Sequence, residues 1–167
     1  DSKVTYPNPT QNPDAVAKNQ SVDVTFEKYV EQTTLNFTFS ESGMVLNPSA
    51  PRELRIAMEN SMPVRGLDMT IEVPAGVTVS DAELVADRNN GSRFMFTERP
   101  NGDYNIIVIK MAAGESAILG NSGDIMKMNL TATDAFDGEN VILKLKDIEI
   151  SKVDGNVLSA QDVTMTL

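Results

Sequence analysis

The sequence predicts an all-β protein built as a two-sheet antiparallel sandwich. Apolar and polar residues alternate with a period of two in one short segment after another. Clusters of Gly, Asn, Asp and Pro separate those segments, and no helical period of useful length appears. Residues 118–145, ILGNSGDIMKMNLTATDAFDGENVILKL, hold the whole grammar: a Gly/Asn-rich turn, an alternating strand, an Asp-Gly turn and a second alternating strand. Many short strands punctuated in this way pack as two sheets over one core.

Taken in order, Val22, Val24 and Phe26 form the first apolar face, and Leu35, Phe37 and Phe39 the second. Ser40-Glu41-Ser42-Gly43 reads as a turn that returns the chain through a strand at 44–46. Leu54, Ile56 and Met58 follow, with Arg55 and Glu59 opposite. Leu67, Met69, Ile71 and Val73 then face one way while Asp68, Thr70 and Glu72 face the other. Pro74-Ala75-Gly76 ends that strand, since Pro cannot donate to a ladder and Gly permits the turn.

Ser80-Asp81-Ala82-Glu83 has the spacing of a helix capping box, but the chain soon reaches Asp87-Arg88-Asn89-Asn90-Gly91, so a strand or short turn is expected. Residues 93–97 and 104–109 flank Pro100-Asn101-Gly102-Asp103, and Asn-Gly between apolar runs predicts a hairpin with a type I′ turn. Ile106-Ile107-Val108-Ile109 is apolar on both faces, as in a central strand covered on both sides.

Met126, Met128, Leu130 and Ala132 alternate, and Asp137-Gly138 reads as a hairpin turn into Val141, Leu143 and Leu145. The apolar parity then flips to Ile148 and Ile150. A strand changes faces only through an extra residue, so a bulge or break is predicted at Lys146-Asp147. Asp154-Gly155 makes another turn, and Val163, Met165 and Leu167 close the domain.

A length of 167 residues suits one domain, in which roughly 70% of the unfolded surface is buried. Residues 1–20, with Pro7, Pro9 and Pro13 among Asn, Gln, Thr and Ser, read as a linker, and 21–167 as a single sandwich domain. No apolar run approaches the roughly 20 residues that span a bilayer, so membrane attachment is expected only through an N-terminal tether. The formal charge of −10 repels phosphate backbones and anionic lipid, which argues against a nucleic-acid partner.

The chain has no His, Cys or Trp. That removes Ser-His-Asp and Cys-His catalysis, His-ligated metals and tryptophan platforms for sugars. Gly120-Asn121-Ser122-Gly123-Asp124 resembles a serine-nucleophile loop, yet no histidine base is present to take the serine proton, so it reads as a turn. Asp134, Asp137, Glu139 and Asn140 could offer oxygens to calcium, but their spacing is not that of an EF-hand and a structural turn is preferred. Tyr6, Tyr29 and Tyr104 could stack on a sugar if exposed in a row, and the nine Met residues read as core filler. No catalytic residue, metal or cofactor is expected.

Residues 55–79 (RIAMENSMPVRGLDMTIEVPAGVTV) and 118–152 together resemble the cohesin-like modules of bacterial secreted and cell-surface proteins. The likeness lies in order and spacing: Glu59-Asn60 ends a strand, Gly66-Leu67-Asp68-Met69 begins the next, Pro74-Ala75-Gly76-Val77 closes it, and Gly120-Asn121-Ser122-Gly123 leads into another. It implies a jelly-roll sandwich, an extracellular or cell-surface setting, and a non-catalytic role in attaching a dockerin-like or other surface protein through one sheet face. A carbohydrate-binding module with a polysaccharide partner is the alternative, and a structural spacer a third reading. In the resemblance Asp68 matches the Asp of an Asn-x-Asp contact pair, while Gly66 stands where the Asn would be. Thr70 and Glu72 share its outward face, so Asp68, Thr70 and Glu72 are the expected partner-binding residues.

Overall fold

A computed structural model describes residues 33–48, 50–138 and 141–167. The 1–20 linker and the strand expected around Val22, Val24 and Phe26 lie outside them. The described strands are β1 (Leu35–Phe39), β2 (Arg52–Asn60), β3 (Val64–Glu72), β4 (Val77–Leu84), β5 (Arg93–Glu98), β6 (Tyr104–Ile109), β7 (Asp124–Ala132), β8 (Ile142–Lys152), β9 (Val157–Ser159) and β10 (Val163–Thr166). A four-stranded sheet, β1-β2-β7-β4, faces a six-stranded one, β10-β8-β3-β6-β5, in which β9 also pairs with β8. All named pairings are antiparallel.

The period-two pattern builds the core. Leu54, Ile56 and Met58 of β2, with Met126, Met128 and Leu130 of β7, meet Met69 and Ile71 of β3, Ile106 of β6 and Leu143 and Leu145 of β8, all buried. Each such side chain contributes about 1.5–3 kcal/mol by leaving water. The predicted bulge is present: Thr70 pairs with Lys146 but Asp68 with Glu149, so Asp147 and Ile148 together oppose Met69. Asp147 takes the left-handed conformation, φ 52°. The extra residue lets Leu145 and Ile148 both point inward.

Several expectations are corrected. Residues 44–46 form no strand. Gly43 bridges Thr166 in one sheet and Pro48 bridges Ala132 in the other, so the stretch crosses between sheets with Met44 and Leu46 buried beneath it. Asp137-Gly138 is not a hairpin turn, because β7 and β8 belong to different sheets. Ser80–Glu83, by contrast, is strand as expected: it lies within β4, where the register shifts and Asp81 has φ 51°.

The β5–β6 connection is a hairpin but not type I′. Pro100 holds φ negative, so Pro100-Asn101 form the turn, Gly102 donates to the Arg99 carbonyl at 2.9 Å, and Gly102 itself carries the positive φ of 86°. On β6, Ile107 and Ile109 are half-buried rather than covered, since among the described residues no element packs over the outer face of the sheet there.

Candidate docking face

The parity of β3 defines the face. With Leu67, Met69 and Ile71 in the core, Gly66, Asp68, Thr70 and Glu72 point outward from a strand flanked by β6 and β8. Rows across the sheet follow from register. Asp68 stands between Glu149 and Ile107, and Ile107 beside Met95 of β5. Gly66 stands between Ser151 and Ile109, with Arg93 beyond.

The three expected partner-binding residues have different environments. Asp68 is exposed, and its Oδ1 accepts from Asn105 Nδ2 at 2.8 Å, which fixes the carboxylate over the centre of the sheet. Glu72 is exposed and paired with Lys146. Lys146 also approaches Asp103 at 3.4 Å, and its hydrogen bond to Glu72 holds its pKa above the ordinary lysine value. Thr70 differs from the other two. It points outward but is only 1% exposed, with Asn105 and Lys146 as its cross-strand neighbours. It lies at the floor of the face.

Two features escaped the sequence reading. The first is an apolar strip: Ile107 and Ile109 half-buried, with Met95 40% exposed beside them. Gly66 leaves a dent next to it, since a Cβ built there would sit 3.8 Å from Ser151 Cβ and 3.9 Å from Ile109 Cγ1. The signal is the unbroken apolar run 106–109, which reads as a strand covered on both sides but has one open side among the described residues. The second is a depression of about 460 Å³ over the β8 bulge, lined by Asp68, Thr70, Arg99, Asp147, Glu149 and Asp162 among others.

The outer face of the four-stranded sheet is different in kind. Arg55 pairs with Glu53 at 2.7 Å and Asp124 at 3.2 Å, and Lys127 pairs with Glu83 at 2.8 Å. These exposed pairs neutralise one another and keep that face solvated.

The remaining candidates are structural or lie elsewhere. The Gly120–Asp124 turn wraps the guanidinium of Arg88, whose Nη1 donates to the Gly123 carbonyl at 2.9 Å and Nη2 to the Gly120 carbonyl at 3.0 Å. Tyr104 is buried and stacks on Phe96 at 4.9 Å between ring centroids, so it offers no sugar platform. Tyr6, Tyr29, Glu139 and Asn140 lie outside the described residues, and among those described no cluster of three or more ligating residues could hold a metal. Of the methionines, Met44, Met58, Met69, Met126, Met128 and Met165 are core, whereas Met95 and Met111 are exposed.

Two antiparallel sheets in this strand order make a jelly-roll sandwich of the cohesin type. Solved structures match in fold. The sixth cohesin of Acetivibrio cellulolyticus scaffoldin B, solved with a mutant Cel5 dockerin, is 11% identical with a TM-score of 0.64, covering 80% of this chain and 98% of that one. A cohesin module from a Clostridium perfringens family 33 glycoside hydrolase is 18% identical with a TM-score of 0.61, covering 80% and 96%. The Coh-OlpC module of Clostridium thermocellum, solved in a type I cohesin–dockerin complex, is 9% identical with a TM-score of 0.61, covering 83% and 99%. No protein-family model and no curated protein sequence matches. The chain has the cohesin fold.

Proposed function

We propose that this domain is a non-catalytic protein-binding module that docks a dockerin-type partner on the outer face of its six-stranded sheet, in an extracellular or cell-surface assembly. The observation that carries this reading is the contrast between the two outer faces. Both carry ion pairs, Arg55–Glu53 and Lys127–Glu83 on one and Lys146–Glu72 and Lys144–Asp162 on the other, but the second also presents an apolar strip, Met95, Ile107 and Ile109, beside the carboxylates of Asp68 and Glu149. An apolar centre with a polar rim is the anatomy of a protein interface. That the similar cohesins were solved with dockerins supports the partner class. Without His or Cys, the chain lacks the usual bases and thiol nucleophiles of hydrolytic sites.

The test is binding of the immobilised domain to a panel of purified calcium-loaded dockerin modules, with Ile107→Asp alongside. At least one dockerin is expected to bind with Kd of about 1 μM or tighter, and Ile107→Asp to weaken it about 100-fold while thermal melting stays cooperative. Failure of every dockerin removes the partner class. Binding that ignores Ile107→Asp removes the face.

A further inference from the structure

We propose that the depression over the β8 bulge receives a basic side chain, lysine or arginine, from the docked partner. This rests on the docking face proposed above and adds the chemistry that face selects. The bulge places two carboxylates where a regular strand would place one: Asp147, in its left-handed conformation, and Glu149, opposite Asp68. Among the described residues neither Asp147 nor Glu149 has a cation within ion-pair distance, whereas Asp162 on the same rim is held by Lys144 at 2.7 Å. Asp68 is steadied by an amide, which leaves its negative charge uncompensated. Among the described residues, Arg99 is the one cationic residue lining the depression.

The floor supplies an independent pointer. Thr70 is 1% exposed and lines the depression, and no hydrogen bond to its hydroxyl is found among the described residues. The hydroxyl is not among the fully sealed unpaired atoms, so it keeps an acceptor lone pair open to an incoming N–H from the depression. A metal ion fits poorly, because no three carboxylates converge tightly enough to ligate one among the described residues. Spread carboxylates around a buried acceptor suit an ammonium or guanidinium head, whose charge is met by several oxygens at hydrogen-bond range. The partner's basic residue would set orientation on the sheet, while the Met95–Ile107–Ile109 strip supplies apolar area.

The test needs no identified partner. Nitrogen-15-labelled protein is titrated with Nα-acetyl-lysine N-methylamide, and separately with the norleucine analogue, which keeps the alkyl chain without the charge. Saturable shifts are expected at the amides of Thr70, Asp147 and Glu149 with the lysine compound alone, and they should fade as salt rises to about 0.5 M. Asp147→Gly keeps the bulge backbone while removing a carboxylate. Combined with Glu149→Gln, it should weaken the response at least tenfold. The proposal is overturned by an equal response to norleucine, by no saturable shift at those amides, or by shifts that appear with calcium chloride but not with the lysine compound. Any of these leaves the docking face itself to be judged by Ile107→Asp.

Discussion

Arg88 donates from Nη2 to the side-chain carbonyl of Asn60 at 2.8 Å, and both residues are buried. Arg88 closes a short 3-10 turn after β4, while Asn60 ends β2 and donates in turn to the Met62 carbonyl. The same guanidinium reaches the Met58 carbonyl at 2.7 Å and the Leu119 carbonyl at 2.7 Å. One side chain thus ties three separate connections at one end of the sandwich. No carboxylate among the described residues pairs with it, and burial pushes its pKa below the ordinary arginine value.

Replacing Arg88 strands those carbonyls. Arg88→Met should destabilise the domain by about 3 kcal/mol, since each buried acceptor left unmade costs about 1–3 kcal/mol and the outer ones recover water. Arg88→Lys should cost nearly as much, because a single ammonium cannot span the same acceptors. Urea unfolding checks both, with a lowered midpoint and an unchanged slope expected.

Asp147 is the second point of stress. A left-handed residue that is not glycine costs about 1–2 kcal/mol, less for Asp, and more when branching at Cβ crowds the backbone. Asp147→Val should therefore destabilise by about 2 kcal/mol, while Asp147→Gly should leave the melting temperature almost unchanged. If valine proves harmless, the bulge is not held in this conformation in solution.

The bulge was legible because it is a matter of counting: Leu145 and Ile148 cannot share a face without one extra residue. The core faces of β2, β3 and β7 were legible for the same local reason. What the pattern did not carry was pairing between distant strands. Asp137-Gly138 looks like a hairpin turn locally, and only the sheet order shows that β7 and β8 part company. Thr70 has an outward parity, and its burial comes from Asn105 and Lys146, both far along the chain. Arg88 left no trace, because its main partners are backbone carbonyls, which any residue can provide.

The β8–β9 turn carries an acid-sensitive contact. Asp154 accepts hydrogen bonds from the Lys152 side chain and the Asn156 amide, which lower its pKa from the ordinary 3.8 to about 2. A carboxyl whose folded value is depressed adds stability above its unfolded pKa, and that stability is lost as pH falls through the folded one. The turn should therefore loosen between about pH 4 and pH 2. Asp154→Asn should flatten the stability profile in that window, with the loss of stability greatest near neutrality and vanishing as the pH falls below about 2. Amide exchange at Asn156 and Val157 reads the effect locally.

Gly76 and Gly66 separate a glycine required by the backbone from one that shapes a surface. Gly76 has φ 80°, and a Cβ there would lie 2.4 Å from the Phe136 amide nitrogen, inside the loop that links the two sheets. Gly76→Ala should cost about 3 kcal/mol or more, since both conformation and space forbid it. Gly66 has no positive φ, and its tightest contact with an added Cβ is 3.3 Å to the Val108 carbonyl oxygen. Gly66→Ala should therefore shift stability by no more than about 1 kcal/mol, the strand gaining in propensity what it loses in crowding. Its effect should appear in binding instead, because the methyl fills the dent between Ile109 and Ser151 at the middle of the proposed docking face. A tenfold weaker complex on a fully stable variant would assign Gly66 to partner fit. Unchanged binding would mean the dent is left empty in the complex and that the contact is made further along the Ile107–Met95 strip.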